Sequence, residues 1–103
     1  MMLQTNEKLV TLVRTVLNKH DPESLLQMGC PADEYEPEIR DISESLYPSI
    51  SVDDAWLVVC ITLHWYFGHH DRPVLYSNKH REIAAEIVAG LPDVYVADKG
   101  VST

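Results

Sequence analysis

One stretch of the sequence decides the fold, and it reads Ser51-Val52-Asp53-Asp54-Ala55-Trp56-Leu57-Val58-Val59-Cys60-Ile61-Thr62-Leu63-His64-Trp65-Tyr66-Phe67-Gly68. Ser51 followed by an acid three residues later resembles a capping box, which marks the start of a helix. Apolar residues then occur on every side at a helical repeat, so we expect neighbouring helices to bury this one all round. The β-branched residues also permit a buried strand, but the length and the capping residues favour a helix. The sequence therefore predicts a buried central helix over about 52–68.

The same stretch is too short to cross a membrane. The longest run without Asp, Glu, Lys or Arg is Ala55–His70, which falls short of the ~20 apolar residues that span a bilayer. The N-terminus also lacks the basic start and apolar run of a secretory signal. We therefore expect a cytoplasmic protein that does not bind membranes and keeps Cys30 and Cys60 as reduced thiols.

Three further helices are predicted before this stretch. Apolar residues at helical spacing indicate one helix over about 6–19 and another that begins near Glu36. Between them, an acid–proline–acid start at Asp21 and a left-handed stop at Gly29 predict a short helix over 24–28.

One more helix is predicted after the central one, from near Asn78 to Gly90-Leu91-Pro92, because proline disfavours continuation of a helix. The tail from about 93 is expected to be loosely ordered, as chain ends commonly are. The 103 residues, of which 46% are hydrophobic, suit one helical domain over 1–103. Together these features predict an all-α fold, a small bundle of four to five helices around the central helix.

Acidic residues are concentrated before the central helix. The chain has 16 acidic and 8 basic residues, a formal charge of −8. Residues 21–54 contain ten acids and a single base, Arg40, so this third of the chain has a net charge of −9. Such a field repels phosphate backbones, which argues against nucleic-acid binding, and it favours a basic protein partner. The alternative is that the acids simply keep the surface solvated.

Three histidines lie at or just beyond the end of the central helix. They are His64, His69 and His70, and Cys60 precedes His64 by one turn, a spacing that can present two metal ligands on one face. His80 is a further candidate ligand. The sequence has no H-E-x-x-H motif and no paired C-x-x-C, so the alternative is a hydrogen-bonded core histidine. We therefore predict no metal and no cofactor, with these histidines as the candidates if a metal does bind.

Motifs that support catalysis are absent from the sequence, which has no P-loop, dinucleotide-binding glycine motif or nucleophile elbow. A cysteine near a histidine also needs an orienting group and an oxyanion hole, and Cys60 is expected to be buried and protonated. Adjacent acids such as Asp53 and Asp54 are explained by helix capping. We therefore do not expect an enzyme.

The segment before the central helix resembles the signature of a known family. It reads Asp21-Pro22-Glu23-Ser24-Leu25-Leu26-Gln27-Met28-Gly29-Cys30-Pro31-Ala32-Asp33-Glu34-Tyr35-Glu36-Pro37-Glu38-Ile39. The order Asp-Pro, a leucine, a small residue before proline, Asp-Glu-Tyr and an acid before an apolar residue is similar to the YugE-like proteins, small bacterial domains of unknown function. Where that family commonly has alanine before the proline, this chain has Cys30. The resemblance implies a bacterial, cytosolic, all-helical bundle and brings no catalytic residues.

The sequence supports one leading function and one alternative. The leading hypothesis is a small acidic protein–protein interaction module, of adaptor or immunity type, that binds a basic partner. The residues expected to contact the partner are Asp33, Glu34, Tyr35, Glu36 and Glu38. The alternative is a metal or small-ligand binding protein that uses His64 with His69, His70 or His80. Self-association through an exposed part of the aromatic helix is compatible with both.

Overall fold

Four α-helices make up the structure, a computed structural model that describes residues 6–30, 34–68, 71, 73–74 and 76–102, with side chains as far as Tyr95. The helices are α1 (Glu7–His20), α2 (Glu36–Glu44), α3 (Val52–Phe67) and α4 (Asn78–Ser102). No strand occurs among the described residues. The prediction of an all-α fold is confirmed, with four helices.

The helices form a ring around one core, because each packs against two others. α1 and α3 both contact α2 and α4, whereas α1 does not approach α3, nor α2 α4, in the part of the chain that the structure describes. All four helices contribute fully buried side chains to this core, among them Val10, Val13, Leu17, Ile39, Ile42, Val59, Leu63, Ile83, Ile87 and Leu91.

The prediction of a short helix between α1 and α2 is wrong, because the segment is a series of turns. The carboxylate of Asp21 accepts hydrogen bonds from the N–H groups of Leu26 and Gln27 at 3.1 and 2.9 Å, which ties these turns to the end of α1. Ser24 has a left-handed backbone with φ 59°, a conformation that L-residues disfavour inside a helix. The left-handed stop at Gly29 is confirmed, with φ 93°.

α3 begins and ends as predicted. At its start, Oγ of Ser51 accepts a hydrogen bond from the N–H of Asp54 at 3.0 Å, which confirms the predicted cap. At its end, Gly68 donates its N–H to the carbonyl of His64 at 2.8 Å.

The position of α3 differs from the prediction, since it is one wall of the ring. Its inner face buries Val59 and Leu63, but its outer face carries Leu57, Ile61 and Trp65, which are 41%, 47% and 66% exposed. Two neighbouring helices can cover only part of the circumference of α3. The prediction of burial on every side is therefore wrong, and a central position for this helix is not confirmed.

α4 is longer than the sequence predicts. It begins at Asn78 as expected but continues well past Pro92, so the predicted end at Gly90 is wrong. Gly90 instead allows a close approach of α4 to α1, because a Cβ atom there would lie 2.6 Å from Cδ1 of Leu12. Val94, beyond the proline, is buried. Its packing helps to offset the backbone hydrogen bond that a proline removes from a helix interior.

The last residues continue α4 as far as Ser102, in the tail that was expected to be loosely ordered from about 93, and the side chains after Tyr95 lie outside the described part. None of the helices in the described ranges combines the length and the apolar character needed to cross a membrane.

Candidate partner-binding surface

The outer face of α3 carries an exposed apolar surface. Leu57, Ile61 and Trp65 recur every four residues, so they form one row, here called the outer stripe. Its length along the helix is about 12 Å, at ~1.5 Å per residue. Asp54 is exposed and lies one turn before Leu57, at the start of the same face. Contiguous exposed apolar side chains are typical of binding surfaces, whereas scattered ones are ordinary.

Three of the four junctions between neighbouring helices carry an ion pair within the chain. These pairs are Arg14–Glu36 between α1 and α2, Lys19–Glu86 between α1 and α4, and Arg81–Asp53 between α3 and α4, at 2.7, 2.7 and 3.0 Å. No ion pair joins α2 to α3 among the described residues. The fourth junction is therefore chemically different from the other three.

The junction of α2 and α3 holds acids and a tyrosine. Tyr66 of α3, next to Trp65 of the outer stripe, donates its hydroxyl to Oδ2 of Asp41 on α2 at 2.6 Å. This hydrogen bond, desolvation and the charges of Asp41 and Glu38 raise the pKa of Tyr66 to about 12. Tyr66 therefore stays protonated at neutral pH. A neutral hydroxyl does not offset the negative charge of the junction.

Glu38 is the residue of this junction whose polar atoms are least satisfied. Its side chain is 4% exposed, and its Oε1 has no hydrogen-bond partner among the described residues. Burial raises the pKa of Glu38, its own backbone N–H opposes that shift, and the charges of Asp41 and Glu34 raise it further. A buried carboxylate is normally paired with a cation or with several donors. Glu34, Glu38, Asp41 and Tyr66 are called the acidic seam below.

The structure separates the five residues that the sequence assigns to one partner-binding site. Glu34 and Glu38 both belong to the acidic seam, and Glu34 is exposed. Glu36 instead faces α1, where it forms the ion pair described above. Asp33 lies outside the described residues. Tyr35 has no exposed surface and its hydroxyl is already hydrogen-bonded within the chain, which corrects its assignment.

Tyr35 instead holds the turns before α2 against the core. Its hydroxyl donates to Oδ1 of Asp21 at 2.7 Å and accepts the N–H of Glu23 at 2.9 Å. Its ring packs edge-on against Phe67, with centroids 6.2 Å apart. Burial and the bond to Asp21 raise the pKa of Tyr35 to about 12. Desolvation disfavours ionisation of Asp21, but hydrogen bonds from Tyr35 and from backbone N–H groups lower its pKa overall. In the family-like segment, Asp21 and Tyr35 thus have a structural role.

A concave region also lies beside α3, toward α4. It is a cleft of about 180 Å³ whose lining includes Cys60, His64, His80 and Glu23. Sγ of Cys60 is 3.7 Å from Nδ1 of His80. Burial raises the pKa of the Cys60 thiol, and burial and the charge of Lys79 lower the pKa of His80. Thiol and imidazole are therefore both neutral at neutral pH.

The predicted histidine candidates are brought together in part. His64 and His80 share the cleft, whereas His69 and His70 lie outside the described residues. In the described part of the chain, no three His, Cys, Asp or Glu side chains are placed to hold a metal ion. The sequence prediction missed Glu23, because the turns that bring it to α3 have no periodic pattern.

The outer stripe and Asp41 were not among the residues predicted to bind a partner, although an exposed part of this helix was considered for self-association. The stripe could not be distinguished from the core because apolar residues occur on every side of α3. Asp41 carried a usable signal, since it lies three residues after Glu38 and so falls on the same face of a helix.

Comparisons with models of known families, with curated proteins and with solved structures give no match to this chain. The resemblance to the YugE-like proteins thus stays a prediction. The function is inferred below from the chemistry of the surface and the cleft.

Proposed function

We propose that this protein is a non-catalytic protein-interaction module that binds a basic amphipathic helix of its partner. The partner helix lies along the outer stripe of α3 and reaches the acidic seam. One observation carries the proposal: three exposed apolar side chains in a row end beside carboxylates that no base of the described chain neutralises. Apolar anchors at helical spacing are the usual basis of recognition between a helix and a protein surface.

The arrangement of charge favours a basic partner. Asp54 lies at one end of the outer stripe and the acidic seam at the other. A partner helix with basic residues at both ends of its apolar face therefore matches the surface. The same charges disfavour nucleic acid, whose phosphates they repel. They also disfavour a second copy, because each copy has a formal charge of −8.

Trp65 is the expected centre of the contact. It is the most exposed of the three stripe residues, and large aromatic side chains contribute most strongly when an interface covers them. The proposal extends the adaptor or immunity-type function predicted from the sequence. A bacterial, cytoplasmic setting belongs to the same proposal and rests on the family-like segment.

A non-catalytic role agrees with the state of the Cys60–His80 pair. Catalysis by a thiol requires a thiolate, and burial keeps Cys60 protonated while His80 is neutral.

A displayed library of helical peptides of about 18 residues, or five turns, tests the proposal. We expect enrichment of peptides with apolar residues every third or fourth position and flanking Lys or Arg. Trp65→Gln and Ile61→Gln should each weaken the selected peptides at least tenfold, about 1.4 kcal/mol. Met28→Gln is the matched control, because Met28 is 67% exposed but lies in the turns before α2. The proposal is wrong if no peptide is enriched, or if the stripe variants and the control bind equally well.

The alternative of metal or small-ligand binding keeps one specific observation, the Cys60–His80 contact in a cleft that His64 also lines. Titration with Zn²⁺ tests it on protein without a histidine tag. Binding that Cys60→Ser and His80→Ala abolish, and that Cys30→Ser leaves intact, supports this alternative. A melting temperature that does not respond to Zn²⁺ excludes it for zinc.

A further inference from the structure

We propose that the partner supplies an arginine to the acidic seam, and that Glu38 together with Asp41 recognises its guanidinium group. This inference rests on the proposed function and makes it specific. It assigns a recognition role to Oε1 of Glu38, a buried carboxylate oxygen to which no described residue donates a hydrogen bond.

The first reason is the contrast between the four helix junctions. At three of them a cation of one helix meets a carboxylate of the next, and the chain supplies both. At the junction of α2 and α3 the acids are present, but no described base pairs with them. The missing cation is the component that a partner can add.

The second reason is the state of Glu38. Its Oε1 is buried and receives no hydrogen bond from the described residues, which is costly for a carboxylate unless a donor reaches it in some functional state. Arg40, two residues away, does not remove this cost: its charge acts on Glu36, whereas the charges that act on Glu38 are those of Asp41 and Glu34. No described cation therefore offsets the charge of Glu38.

The third reason is the chemistry around the seam, which suits a guanidinium group better than other cations. A planar fork of N–H donors can bridge the carboxylates of Glu38 and Asp41, and it can stack on an aromatic ring such as exposed Trp65. An ammonium group can do neither as well. A metal ion needs at least three converging ligands, and the described residues provide no such group.

The seam also selects the orientation of the partner helix. Trp65 lies at the C-terminal end of the outer stripe, next to Tyr66, so the arginine must enter at that end. The apolar anchors of the partner then extend from it toward Leu57.

A double-mutant cycle tests the inference with the peptides selected on the displayed library. We expect the selected peptides to share an arginine, whose replacement by lysine weakens binding at least tenfold. Glu38→Gln should weaken the arginine peptide by a similar factor and leave almost no difference between arginine and lysine. Glu36→Gln is the matched control on the same helix, and we expect it to change the affinity less than twofold, since Glu36 faces α1.

The outcomes separate this inference from the function on which it rests. Peptides that need Trp65 but show no preference for arginine, or that bind Glu38→Gln unchanged, overturn the inference and leave the proposed function standing. A library without enriched peptides overturns both. A second copy of this chain is the remaining source of a cation. Sedimentation of the peptide-free protein tests for it. A dimer that Arg40→Gln dissociates means that a second copy fills the seam, which also overturns the inference.

Discussion

The two faces of α3 have the same kind of side chains and opposite surroundings. The inner face places Val59 and Leu63 in the core, with 0% and 2% of their surfaces exposed. The outer face places Leu57, Ile61 and Trp65 in solvent on the same sixteen-residue helix. Since composition is so similar, it cannot explain the difference. The inner face is apolar because it holds the ring together, whereas burial does not explain the apolar residues of the outer face.

The difference teaches that an all-round apolar helix has two explanations. A helix of this kind is usually buried by neighbours within its own chain. Here the ring supplies neighbours on two sides, and we propose that a partner supplies the third. The comparison predicts that the inner face carries stability and the outer face carries binding.

The largest expected effect on stability is at the inner face. Leu63→Ala should lower the free energy of unfolding by about 3 kcal/mol, because it removes buried methyl groups and leaves space in the core. Ile61→Ala, two residues earlier on the outer face, should change it by less than about 0.5 kcal/mol. Urea unfolding followed by circular dichroism measures both. Equal losses for the two variants would remove the distinction between the faces.

A smaller loss of stability is expected at the N-terminal cap of α3, on which both faces of the helix depend. Ser51→Ala removes the acceptor of the N–H of Asp54 and should lower the free energy of unfolding by about 1 kcal/mol. The same unfolding measurement applies, with Ser49→Ala as a control in the exposed loop before α3. Because the cap supports the start of the helix, peptide binding at the distant Trp65 should change little.

The acidic seam should show a gain of stability when its buried charge is removed. The pKa of Glu38 is raised from its ordinary value of 4.5, so the folded state binds a proton more tightly than the unfolded state. Stability from this group is therefore present at low pH and is lost as pH rises through the folded-state pKa. Glu38→Gln should add about 0.5–1 kcal/mol at pH 7, and this gain should fade as pH falls through the folded-state pKa and be gone below pH 4.5.

The same unfolding curves for Glu36→Gln give the opposite sign, because that change breaks the ion pair with Arg14. A loss of stability in Glu38→Gln at pH 7 would mean that Glu38 has a stabilising partner. If Glu38→Gln folds more stably and yet loses the arginine peptide, binding and stability are separated at one residue, as is common for functional sites.

The smallest expected effect is on the stability of a variant with a polar outer face. Leu57→Gln combined with Ile61→Gln should change the free energy of unfolding by less than about 0.5 kcal/mol, because neither side chain is part of the core. Binding of the selected peptides should nevertheless be lost. A marked fall in the melting temperature would show that the outer stripe packs against the rest of the chain.

Local signals made much of the fold predictable. Caps and turn residues act within a few positions, so Ser51 and Gly68 marked the bounds of α3 correctly, and Gly29 marked a left-handed turn. The prediction at Pro92 failed because packing outweighed local preference, since burial of Val94 favours continuation of α4. The prediction after Asp21 failed because the left-handed backbone of Ser24 and the hydrogen bonds to the carboxylate of Asp21 set turns instead.

The candidate surface was predictable in charge but not in geometry. An excess of acids over residues 21–54 is visible in the sequence, and it pointed to Glu34 and Glu38. The spacing of Tyr35 with Ile39 and Ile42 indicated a core-facing position, which burial of Tyr35 confirms. The pairing of Glu36 depends on the contact of α2 with α1, which no spacing along the chain encodes. Whether Leu57 and Ile61 face solvent depends on the number of neighbours around α3, which is a property of the assembled ring.

The exposed outer stripe gives salt two opposite effects on this protein. The formal charge of −8 keeps free copies apart at low ionic strength, where the Debye length is ~30 Å at 0.01 M. At 1 M that length falls to ~3 Å, so mutual repulsion is screened and apolar stripes can meet. Light scattering of the free protein should then rise with salt, while a complex held partly by charge weakens. The sign of the salt response thus identifies which surface, another copy or a basic partner, covers the stripe.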